Sequence, residues 1–67
     1  MSQHKFDVTT TDGEIIHVCA EWGTVWEIVR HDLSRVRCNP WVHSLTDLKF
    51  RIASLYRVNY DSVNEDR

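Results

Sequence analysis

Sixty-seven residues, 42% hydrophobic and 27% charged, make one small globular domain, and its core is thin because a chain this short buries only roughly 60% of what it exposes unfolded. A net charge of −2 argues against steering onto nucleic acid or an anionic membrane, and no apolar run nears the roughly 20 residues that cross a bilayer. The two cysteines build no disulfide framework and are expected as free thiols of a reducing compartment.

The opening Met1-Ser2-Gln3-His4-Lys5 lacks the apolar stretch of a signal peptide, so the expected location is the cytoplasm, of a cell or of an infected host. A hairpin is expected over 4–21. Phe6 and Val8 alternate with Lys5, Asp7 and Thr9, and Ile16, Val18 and Ala20 alternate with Ile15, His17 and Cys19. Parity fixes the loop between them. A two-residue loop at Asp12-Gly13 sets Val8 opposite His17 and splits the apolar residues between faces. A three-residue loop, Thr11-Asp12-Gly13, sets Val8 opposite Ile16 and Phe6 opposite Val18, all on one face, with Gly13 at the left-handed position.

A helix is expected next, over 24–37. Thr24-Val25-Trp26-Glu27 reads as a capping box, and Val25, Ile28, Val29, Leu33 and Val36 recur at helical spacing. Arg35 and Arg37 suit its C-terminal end, and Asn39-Pro40 stops it. Asp32 falls inside the apolar stripe, where a carboxylate needs water, Arg35 or a partner's cation. A second helix is expected over 45–57, capped by Ser44, with Leu45, Leu48, Ile52, Leu55 and Tyr56 on one face. The tail, 64–67, is expected to fray.

The expected fold class is therefore α+β, a hairpin packed against two amphipathic helices in the order ββαα. The alternative is ββαβ, with 48–60 as a third strand. The core is expected from Phe6, Val8, Ile16, Val18, Val25, Ile28, Val29, Leu33, Val36, Leu48, Ile52 and Leu55.

His17, Cys19, Cys38 and His43 are the right residue types for tetrahedral zinc, but H-x-C on a strand followed by a long gap is not a zinc-module spacing. No metal and no cofactor are expected. Cys19 has no helix N-terminus or cation to activate it, and no catalytic motif is present, so the chain does not read as an enzyme. The run Ile52-Ala53 through Val58 to Val63 resembles the helix-turn-helix pattern of DNA-binding regulators. It departs from that pattern at Arg57, where the family places glycine, and at Asp61 to Asp66, where the recognition helix would be acidic. The resemblance covers under a third of the chain.

What remains is a binding surface. Trp22, Trp41, Phe50, Tyr60, Ile15, His17 and Asp32 are left over from the expected core, and Trp and Tyr are favoured at binding hot spots. The expected function is that of a non-enzymatic protein-binding module, an adaptor, regulator or inhibitor. Accessory proteins of phages and mobile elements share this build. Another protein is the expected partner, and a thin core also suits a homodimer. Nucleic acid is the second reading, on Arg30, Arg35, Arg37, Lys49, Arg51 and Arg57, and a zinc-stabilised domain the third.

Overall fold

The structure, a computed structural model, describes residues 3–23, 25–38, 42 and 44–66. Chain order runs β1 (Gln3–Thr9), β2 (Ile15–Trp22), β3 (Trp26–Val29), β4 (Arg35–Arg37), α1 (Leu45–Tyr56), a 3-10 turn (Tyr60–Ser62) and β5 (Val63–Asp66). The strands form one antiparallel sheet in the order β4-β3-β2-β1-β5.

The first hairpin follows the parity of its apolar residues. Phe6 pairs with Val18 and Val8 with Ile16. Thr10 N–H donates to the Glu14 carbonyl at 2.8 Å and Gly13 N–H to the Thr10 carbonyl at 3.0 Å, closing the loop Thr11-Asp12-Gly13. Gly13 takes φ +88°, where a side chain would be strained.

The expected ββαα arrangement is overturned: the described residues hold a single α-helix, and the expected helix over 24–37 is replaced by a second hairpin, β3 and β4. Ile28 and Val36, whose spacing suggested a helical stripe, instead face each other across β3 and β4. Two conditions decide for the strand. Val25-Trp26-Glu27-Ile28-Val29 is β-branched and aromatic, which suits a pleated surface. The far edge of β2 also offers a ladder, taken up as Cys19 to Val29, Ala20 to Ile28, Glu21 to Glu27 and Trp22 to Trp26. Asp32 explains the reversal. Its carboxylate accepts from Ser34 N–H at 3.1 Å and from the Ser34 hydroxyl at 2.6 Å, so it is an exposed turn residue and not part of a buried stripe. Arg35 and Arg37 are strand residues on the outer face, and Arg35 pairs with Glu21 at 2.7 Å.

The alternative with a strand over 48–60 fails as well, because Leu45–Tyr56 is helical. Ser44 caps this helix through its hydroxyl, which accepts from Asp47 N–H at 3.2 Å. Arg57 ends it in the left-handed region, φ 55°, with Arg57 N–H bonded to the Ser54 carbonyl and Val58 N–H to the Ala53 carbonyl. This is the Schellman arrangement, whose preferred left-handed residue is glycine. Left-handed strain of roughly 1–2 kcal/mol outweighs the roughly 0.4–1 kcal/mol that glycine adds to the unfolded chain's freedom. Arg57→Gly is therefore expected to raise the melting temperature by a few degrees, and a fall would show that the Arg57 side chain stabilises the helix end.

The tail expected to fray takes a regular conformation over its described residues. Residues 63–66 form β5 on the free edge of β1, pairing Val63 with Val8 and Asp66 with Lys5. Topology requires the helix to lie where it does. The chain leaves the sheet at β4, one edge, and returns at β5, the other. The helix lies in that connection and covers one face of the sheet, its last residue Tyr56 meeting Arg30 and His31 of the second hairpin.

Between helix and sheet lies the core: Phe6, Val8, Val18, Ala20, Ile28, Cys38, Val42, Leu48, Ile52, Ala53 and Val63. Each of the larger ones contributes roughly 1.5–3 kcal/mol by leaving water. Leu33, expected among them, stands outside at 80% exposure. No helix among the described residues is long and apolar enough to cross a membrane.

Candidate docking surface

The helix covers the middle of the sheet and leaves the β3–β4 side partly open. A groove of about 220 Å³ lies there, lined by Ile28 and Val36 from the strands, Ser54 and Leu55 from the helix, and Arg37, Cys38 and Arg51 at one end. Its floor is apolar, and Arg51 of the helix lies at its rim. Burial pushes the Cys38 thiol up from its ordinary value, so it stays protonated and inert in the groove wall. β4 is the outermost strand, and no strand of the described residues pairs with its far side. Such an edge offers unpaired backbone groups to another chain.

Farther along the same two elements, the Arg30 guanidinium lies over the Tyr56 ring, 5.6 Å from its centroid. His31 stands beside that ring, with Nδ1 3.3 Å from the Tyr56 hydroxyl. Arg30 Nε is buried and finds no acceptor among the described residues. An unmade bond of this kind costs about 1–3 kcal/mol, more for a charged group.

The tip of the hairpin carries Leu33. Its loop repeats the geometry of the first one. Arg30 N–H donates to the Ser34 carbonyl and Leu33 N–H to the Arg30 carbonyl, both at 2.8 Å, closing His31-Asp32-Leu33. The final residue again has positive φ, here 70°. Gly13 fills that position in the first loop, a leucine in the second. Asp occupies the centre of both, Asp12 accepting from the Thr10 hydroxyl as Asp32 does from Ser34. These bonds hold both carboxyls below the usual aspartate range. Their contribution is present above that range and is lost as the pH falls through the depressed folded values.

The residues expected to bind a partner do not form one patch. Trp22 is half-buried and packs on Trp26, centroids 5.4 Å apart, and His4 packs on Trp26 at 5.7 Å. Phe50 is 55% exposed and stacks on Tyr60 at 4.4 Å, with Lys49 Nζ 4.5 Å from the Tyr60 centroid. Ile15 and His17 lie on the outer face of the sheet, and Asp32 on the second hairpin loop. Trp41 lies outside the described residues, as do His43 and Thr24.

The zinc candidates are divided in the same way. His17 and Cys19 share the outer face, and Cys38 is buried under the helix. The would-be recognition helix after Arg57 is a 3-10 turn and a strand. Sequence reading had Arg30, Arg37 and Arg51 only in a basic set for nucleic acid and put Leu33 in the core, whereas the structure exposes it. The signal was the match between Thr10-Thr11-Asp12-Gly13-Glu14 and Arg30-His31-Asp32-Leu33-Ser34, two stretches with aspartate at the loop centre.

No family model, curated protein or solved structure matches the chain.

Proposed function

We propose that this chain is a protein-binding module that takes an extended, acidic segment of a partner along β4 and into the groove beside α1. The edge of β4 supplies backbone donors and acceptors for an added strand. Ile28, Val36 and Leu55 receive its apolar side chains, and Arg51 faces its carboxylates.

Leu33 carries this reading. Its backbone strain is roughly 1–2 kcal/mol, and its side chain, 80% exposed, regains little of that by burial. Folding alone favours glycine there, as at Gly13. A leucine held out at a hairpin tip is accounted for by a contact made outside the monomer.

The test follows from opposite signs. Leu33→Gly is expected to stabilise the free protein by about 0.5–1 kcal/mol, the strain relieved less the entropy glycine returns. The same variant is expected to lose the partner. The measurement is capture from native lysate followed by hydrogen-exchange footprinting of the complex. The reading stands if protection falls on residues 30–38 and 51–56 and if Leu33→Gly and Arg51→Glu both abolish it. A footprint elsewhere, or capture undiminished in both variants, removes it. Steep loss of binding between low and moderate salt would put nucleic acid in the groove instead. Doubling of the sedimenting mass, lost in Leu33→Gly, would put a second copy there.

A further inference from the structure

We propose that the uncovered outer face of the sheet holds a binding site for a divalent transition-metal ion of the zinc class, formed by Asp7, His17 and Asp66. The three side chains come from three neighbouring strands, β1, β2 and β5. One ligand atom of each lies within 4.8 Å of the others. The register places them: Asp7 stands opposite His17 across β1 and β2, and Asp66 stands on β5 opposite Lys5, one step along β1.

The bland alternative is an ion pair. His17 Nδ1 is 2.7 Å from Asp7 Oδ1, and exposed pairs of this kind are worth only about 0–1 kcal/mol. That pair accounts for one carboxylate; Asp66 stands opposite Lys5 across β1 and β5, yet its carboxylate also lies within reach of the Asp7–His17 pair. A second carboxylate brought to the same imidazole repels the first and makes the group net negative even with the imidazole charged. A divalent cation reverses the balance, attracting both carboxylates and taking a neutral nitrogen.

Geometry and donor type choose the class of metal. A tetrahedral ion with ligand bonds near 2.1 Å needs its donors roughly 3.4 Å apart. A limit of 4.8 Å leaves side-chain rotation to close the gap, with each backbone already fixed by its ladder. One nitrogen and two oxygens suit zinc, cobalt or nickel. Calcium and magnesium prefer all-oxygen shells, and the imidazole nitrogen counts against them. The same shallow depression, about 350 Å³, is lined by Cys19 and Lys5. Cys19 sits two residues from His17 on the same face but outside the cluster of ligand atoms, so water completes the coordination. Lys5 is the one charge in the depression that opposes a cation.

The site differs from the zinc set read from the sequence. It keeps His17 and replaces Cys38 and His43 with carboxylates from the adjoining strands. A bound ion would tie β5 to β1 and β2, so binding should also raise thermal stability.

The experiment is titration of the metal-free protein with Co2+, followed by its visible absorption, and with Zn2+, followed by calorimetry and melting. Expected are saturable one-to-one uptake of both, a higher melting temperature with Zn2+, and none of this with Mg2+ or Ca2+ at equal concentration. His17→Ala and Asp66→Asn should each weaken binding at least tenfold, as changes even beyond the ligand shell commonly do. Lys5→Gln should tighten it. His17 is 79% exposed in its side chain and Asp7 37%, so these variants are expected to fold, and metal-free melts check that. Should His17→Ala not fold, Asp66→Asn carries the same comparison. Absence of saturable uptake by the wild type, or uptake undiminished in the variants, overturns the proposal.

Discussion

Val63→Asp is expected to unfold the domain. Val63 is fully buried, pairs with Val8 across β1 and β5, and belongs to the core under α1. Losing its burial costs roughly 1.5–3 kcal/mol. A carboxylate in its place has no cation among the core residues and must be protonated or drag water in, at several kcal/mol more. A domain of 67 residues has roughly 3–10 kcal/mol in all. The substitution therefore removes most or all of it. Asn64→Ser, one residue on and exposed, should change stability by no more than about 0.5 kcal/mol. Thermal and urea melts followed by circular dichroism measure both. Equal melting temperatures for Val63→Asp and the wild type would mean that the tail frays and the sheet has four strands.

The contrast between those neighbours explains why β5 was hidden in the sequence. Its four residues hold one apolar side chain, and Asn64, Glu65 and Asp66 read as a solvated tail. The partner that makes it a strand is β1, nearly the whole chain length away, and no local pattern announces that pairing. The hairpin of β1 and β2 was legible for the opposite reason. Its four apolar residues, Phe6, Val8, Ile16 and Val18, can share a face with only one loop length, and Gly13 sits where that loop needs it. The helix was legible through Ser44 and the spacing of Leu48 and Ile52.

Residues 24–37 fall between these cases. Val25, Ile28, Val29, Leu33 and Val36 satisfy the helical period, yet Ile28 and Val36 face each other across β3 and β4. A four-residue strand is too short for periodicity to tell it from a helix, and the open edge of β2 settles the matter from outside the segment. One observation inside it did point to a turn. Asp32 looked misplaced on a helix because it was reversing a hairpin. The candidate sites divide along the same line. The Asp7–His17 pair was contained in the correct hairpin register and needed only to be read from it. Asp66, and the groove between α1 and β4, depended on pairings distant in sequence.

Ile52→Ala and Phe50→Ala, two residues apart on α1, are expected to differ by several-fold in their effect, and the difference tests which face of the helix is spent on folding. Ile52 is fully buried in the cluster with Phe6 and Val18. Truncating it removes three carbons from a close-packed site and leaves a void that a single helix over a sheet has little freedom to close. The expected loss is about 2–5 kcal/mol, which for this domain spans a lowered melting temperature to complete unfolding. Phe50 points away, 55% exposed, and its main contact is the Tyr60 ring. Removing an aromatic pair of that kind costs about 0.5–1.5 kcal/mol. Near-equal losses would mean that Phe50 closes a second small core over the 3-10 turn, and that its exposed ring is not available to a partner. A small loss at Phe50 beside a large one at Ile52 would leave the Phe50 ring free for docking, in the same condition as Leu33 at the hairpin tip.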